Sequence, residues 1–306
     1  LLKIKYLQQL LKKVTIMQHL PAWMKFILVV FVFALASCSK ETSNESTGPN
    51  PTVALVIKNE KYGSAARNVA DIHLPANRST AKTKMIVIMH GGSWTQGDKA
   101  DLDLIIEQIK NLYPELAIVN MNYRLADGTA ANYHPSQMND IKQLLDYIET
   151  KKTIWQVGSP TGIAGVSAGA HLAMLYAYAF DTDKKMKCVV NVVGPTDFSD
   201  PLYSSNPIFQ LVAANFLGKT WAQDPDLHRS VSPALRVTTT SAPTFMAYGT
   251  IDNVVPISNA FTLRQRLITN GVTHTYVEYP TEGHEFSTTA ISDLLPRVVT
   301  FLKANL

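Results

Sequence analysis

The chain has 306 residues, 46% hydrophobic and 17% charged, which suits a globular protein with one large core, or at most two domains. Its formal charge of +4 comes from the first 37 residues, where Lys3, Lys5, Lys12, Lys13 and Lys25 stand without a single acid. Without those five lysines, 23 basic residues face 24 acidic ones, a balance that excludes an electrostatic case for a nucleic-acid partner.

Along the chain, the first element is a leader. Met24 and Lys25 precede eleven apolar residues, Phe26 to Ala36, followed by Ser37 and Cys38. A positive start, a short apolar run and small residues at its end predict a secretory signal, too short to span a bilayer comfortably. Leu35-Ala36-Ser37-Cys38 resembles a bacterial lipobox. That resemblance implies cleavage before Cys38, a lipid on its thiol, and a protein exported and held at a membrane. Residues 38–51 are polar and rich in Ser, Thr, Asn and Pro, as expected of a flexible tether. Cys188, the other cysteine, lies in the apolar run CVVNVV and is expected in the core, so no disulfide is predicted.

From residue 52 to 306 short apolar runs alternate with helical patterns. TVALVI, NVADIHL, MIVIMH, LAIVNMNY, TGIAGV, CVVNVVG, TFMAYG and THTYVEY read as strands. Between or after them, the stretches from residues 101, 136, 167, 206, 257 and 291 read as helices. Strand runs this poor in polar residues imply burial on both faces, hence a mostly parallel sheet between helices, an α/β fold. Residues 195–243, rich in Pro, Ser, Thr and Asp, exceed an ordinary crossover. They are expected to form either an insertion covering the site or a surface excursion.

Ligands of such a sheet bind at the carboxyl ends of its strands, where the chemistry-bearing residues fall. Ser167 follows TGIAGV at the mouth of a helix, between Gly165 and Gly169, as a sharp strand-to-helix turn requires. HGGSW, residues 90–94, ends another strand with two glycines able to aim backbone N–H groups at a developing oxyanion. His284 follows the last strand and is the candidate base. His171, inside the helix after Ser167, is expected to be a packing residue. Asp252 follows TFMAYG and is the candidate acid, with Asp197 in GPTDF as its rival. Glu282 and Glu285 sit too close to His284 in sequence to orient its ring easily. The order Ser167, Asp252, His284 is that of α/β-hydrolases, unlike chymotrypsin or subtilisin.

HGGSW, NYRLA, GVSAGAHLA, GPTDF, YGTIDNVVP and EGHEF together resemble the esterase and lipase branch of the α/β-hydrolase superfamily. The resemblance extends to hormone-sensitive-lipase-like esterases and to small bacterial feruloyl or acetyl esterases. The resemblance implies an α/β-hydrolase fold and a serine carboxylic-ester hydrolase, acting on short acyl, feruloyl or acetyl substituents of carbohydrates. It assigns Ser167 as nucleophile, His284 as base, Asp252 as its orienter, and the N–H groups of Gly92, Ser93 and Ala168 as the oxyanion hole. Two features depart from it: Ser93 stands where a third glycine is usual, and the helical N-terminal cap has no counterpart. Neither a cofactor nor a metal is expected. Two other readings stay open, an amidase or kynurenine-formamidase-like hydrolase with the same triad, and a glycan-binding protein whose catalysis has lapsed.

Overall fold

The computed structural model describes residues 48–306. The leader, Cys38 and most of the tether lie outside the described residues.

Eight strands form one sheet in the spatial order β1-β2-β4-β3-β5-β6-β7-β8. They are β1 (Leu55–Lys61), β2 (Val69–Leu74), β3 (Met85–Met89), β4 (Ala117–Met121), β5 (Pro160–Val166), β6 (Cys188–Val192), β7 (Thr244–Gly249) and β8 (His274–Tyr279). β1 and β2 pair antiparallel, as do β2 and β4, and every other pair is parallel. All eight coincide with the apolar runs of the sequence to within a few residues. The expectation of burial on both faces holds for β3 and β4, which are buried throughout. It fails for β1 and β8, each partly exposed along its length. These two are the edge strands, with a neighbour on one side only.

Helices α1 (Asp103–Leu112), α2 (Ser136–Trp155), α3 (Ala168–Leu175), α4 (Pro201–Ser204), α5 (Pro207–Leu217), α6 (Pro225–Ser230), α7 (Ser258–Thr269) and α8 (Thr288–Asn305) complete the layers. Strand side chains alternate between two cores, as the period of two requires. Ile86, Ile88, Val190 and Phe245 pack with residues of α1 and α8. Val87, Met89, Val189 and Met246 pack with residues of α2, α3 and α7. Every residue of α3 is buried, which matches its all-round apolar sequence. Cys188 is free and fully buried among the first of these cores.

The chain leaves β3 toward β4 on one side and enters β5 on the other. This reversal of winding direction opens a crevice at the carboxyl ends of the parallel strands. Met89 lies opposite Gly165 in the β3–β5 register, so the glycine turn after β3 and the serine turn after β5 emerge side by side.

Candidate active site

Ser167 sits between β5 and α3 with φ 54° and ψ −122°, a left-handed backbone conformation that L-residues rarely adopt. What holds it there is close packing of backbone on backbone. A Cβ on Gly165 would lie 2.2 Å from the Gly169 carbonyl carbon, and one on Gly169 only 2.3 Å from the Met89 oxygen. The Ser167 N–H donates to the Val192 carbonyl of β6 at 2.9 Å, and the His171 N–H returns to the Ser167 carbonyl at 3.0 Å. The side chain is thereby presented at the crevice.

His284 arrives from the loop after β8. That loop folds back over the end of β7, where Ile251 N–H donates to the Glu282 carbonyl at 3.2 Å. The fold-back needs Gly249, since a Cβ there would lie 2.1 Å from the Glu282 oxygen. His284 Nε2 stands 2.9 Å from Ser167 Oγ, and its Nδ1 stands 2.8 Å from Asp252 Oδ2. The Asp252 side chain is fully buried. Its other oxygen accepts the N–H groups of Val254 and Val255 at 2.8 and 2.9 Å, which locks the carboxylate in the loop after β7.

The rival Asp197 is occupied locally, accepting from Ser199 N and Oγ. Glu282 accepts from Ser287 N and Oγ at 2.7 Å at the start of α8, and Glu285 is exposed. Ser167, His284 and Asp252 therefore form one continuous hydrogen-bonded line.

The turn after β3 carries the third part of the site. Gly92, Ser93 and Trp94 have φ of 103°, 52° and 62°, so three successive left-handed residues curl the backbone tightly. The Gly91 α-carbon faces the serine, a Cβ there lying 3.3 Å from Ser167 Cβ. Ala168 opens α3, where first-turn N–H groups have no partner within the helix and the helix end favours negative charge. Ser93 and Ala168 line one cavity with Ser167, and Gly92 and Ser93 line another with it.

Several residues hold this turn through long-range contacts that sequence reasoning did not give. Trp94 is buried, stacks on Phe216 and donates its indole N–H to His171 Nδ1 at 3.1 Å. His171 Nε2 then donates to the Val231 carbonyl at 2.8 Å. Those two bonds fix a neutral tautomer, and burial pushes the His171 pKa down to about 3. The packing role expected of His171 is thus joined by a polar one. His90 stacks on Tyr123, and its Nδ1 donates to the Gly91 carbonyl at 2.6 Å. Arg67 reaches the Tyr123 and Gly97 carbonyls at 3.0 and 2.9 Å. A lone Arg or Trp in a sequence carries no sign of such long-range partners.

Segment 195–243 forms α4, α5 and α6 and covers part of the crevice. Tyr203, Asn206, Phe209 and Val212 from it join Trp94 and Ser167 around a cavity of about 270 Å³. Of the two readings of this segment, the structure favours the covering insertion.

The BD-FAE family profile matches residues 70–267, about two thirds of the chain, spanning Ser167 and Asp252. The chain belongs to the BD-FAE family. Among curated relatives of this BD-FAE member, esterase LipC of Mycobacterium tuberculosis is 23% identical over 243 residues, covering 74% of this chain and 58% of LipC. Esterase LipQ of the same organism is 22% identical, covering 79% of this chain and 60% of LipQ. The chain spans about half the length of the curated relatives it matches. A truncated carbohydrate esterase from gut microbiota superposes with a TM-score of 0.70 at 21% identity, over 84% of this chain and 99% of that one. The metagenomic carboxylesterase EstE1 gives 0.67 at 16% identity, over 85% and 91%. The fold is that of the α/β-hydrolases.

Proposed function

We propose that this protein is a serine carboxylic-ester hydrolase working through an acyl-enzyme. The hydrogen-bonded line from Asp252 through His284 to Ser167, ending on a strained serine at a helix start, carries the reading. Ser167 Oγ attacks the ester carbonyl as His284 Nε2 takes its proton. Asp252 accepts from Nδ1–H, fixes the tautomer and stabilises the imidazolium. The carbonyl oxygen, now negative, receives the N–H groups of Gly92, Ser93 and Ala168. His284 returns the proton to the leaving alkoxide, and the tetrahedral carbon collapses to the acyl-serine. Water, deprotonated by His284, then attacks that ester and releases the acid.

Esters on carbohydrates are the proposed substrate class. Fold neighbours described as a carbohydrate esterase and an acetyl ester-xyloside bifunctional hydrolase support it. The leader supports a further proposal, that the enzyme is exported and anchored by a lipid on Cys38. Ser167→Ala should lower kcat on a p-nitrophenyl ester by about a millionfold with an unchanged circular dichroism spectrum. Turnover that survives in the folded variant would overturn the assignment.

A further inference from the structure

A second cavity, of about 630 Å³, opens at the same serine and runs the other way. Ser167, His284 and Gly92 stand at its mouth. From there it passes inward between the sheet and helices α1 and α8. Its polar lining, chiefly Gln96, Asp101 and Glu285, comes from the loops at the carboxyl ends of the strands. Below that level the lining is hydrocarbon.

Ile88, Ala164 and Val190 form its floor on three adjacent strands, and Leu294 and Val298 of α8 form its roof. These core residues keep 3–7% of their surface exposed, which is the wall of the internal space. The inner end is closed by Ile86 and Leu302, only 2% and 1% exposed. Ile86 lies opposite Gly162, five residues before Ser167, so the cavity is about 16 Å deep at the rise of ~3.3 Å per strand residue.

We infer that this cavity is the binding arm for an extended hydrocarbon portion of the ester. The inference rests on the serine mechanism proposed above. A deep apolar space continuous with a nucleophile gains free energy by taking apolar surface out of water, and gains nothing from a sugar hydroxyl that would lose its hydrogen bonds there. The polar part of the substrate therefore stays outside this cavity, in the crevice at the strand ends. An ester with no long hydrocarbon on either side leaves the deep cavity unfilled, so it is a poor substrate. The hydrocarbon can belong to the acyl group or to the alcohol.

Two series of esters on the full chain separate these sources. One is p-nitrophenyl esters from acetate to laurate, and the other is acetates of lengthening straight-chain alcohols. Each methylene that enters the cavity should raise kcat/KM about three- to fourfold, until the chain meets Ile86. A rise in the first series assigns the cavity to the acyl group, and a rise in the second to the alcohol. Ala164→Leu, which projects into the middle of the cavity, should lower the ratio of longest- to shortest-chain kcat/KM at least about tenfold. It should also move the optimum to a shorter chain. A ratio of rates is insensitive to the fraction of folded enzyme. Both series flat or falling, with acetate hydrolysed, would overturn the cavity's role while leaving the ester hydrolase standing. A rise that Ala164→Leu does not shorten would overturn its location. Absence of hydrolysis on every ester would remove both proposals together.

Discussion

At the residue scale, the two oxygens of Asp252 are committed differently. One meets His284 Nδ1, and the other accepts the N–H groups of Val254 and Val255. In Asp252→Asn the amide oxygen can keep the two backbone bonds, which turns its NH2 toward His284. Nδ1 must then accept, the proton moves to Nε2, and the base can no longer take the Ser167 proton. The expected loss is about 10⁴ in kcat with an unchanged melting temperature. Full activity would mean that the carboxylate is dispensable. His171 illustrates a buried group whose cost falls on the fold rather than on the reaction. Burial lowers its pKa from 6.5 to about 3, and that of His134 to about 4. The unfolded chain therefore binds protons that the folded one refuses. Stability is fully present above about pH 6.5 and declines as pH falls toward those values, by about 1.4 kcal/mol per pH unit for each group. Urea midpoints measured from pH 7.5 down to 4.5 should fall accordingly, and a constant midpoint would contradict the neutral His171.

At the element scale, the site is made where β3, β5 and α3 touch. The Gly165–Gly169 pair was legible in the sequence as a demand for close packing, and the structure supplies the partners: each other and the Met89 carbonyl. Gly169→Ala should therefore push the β3 turn off α3. Overpacking of this kind costs about 1–3 kcal/mol, and the displaced turn should lower kcat as well. A wild-type urea midpoint in that variant would show that the contact yields freely. Strand positions were readable because apolar runs of five to seven residues have few alternatives in an α/β chain. The His90 and Trp94 anchors were not, because their partners Tyr123, His171 and Phe216 lie far along the chain. Only the fold makes them neighbours.

At the scale of the whole molecule, one layered domain within residues 48–306 carries the candidate site. If Cys38 is the lipid attachment point, Cys38→Ala should incorporate no labelled palmitate and should leave the membrane fraction, with kcat on a soluble ester retained. Labelling that persists in the variant would refute the anchor. The sequence by itself determined the strand order along the chain, the α/β class and the candidate residues Ser167, Asp252 and His284. It could do so because local periodicity, turn glycines and strand-end positions are short-range properties. Tertiary structure alone decided that Asp252 and not Asp197 meets His284, because that choice depends on how the loop after β8 folds across β7. It alone also decided the shape of the space beside the serine. Cavity walls come from strands and helices distant in sequence, and an apolar side chain that lines a cavity reads the same as one that fills a core.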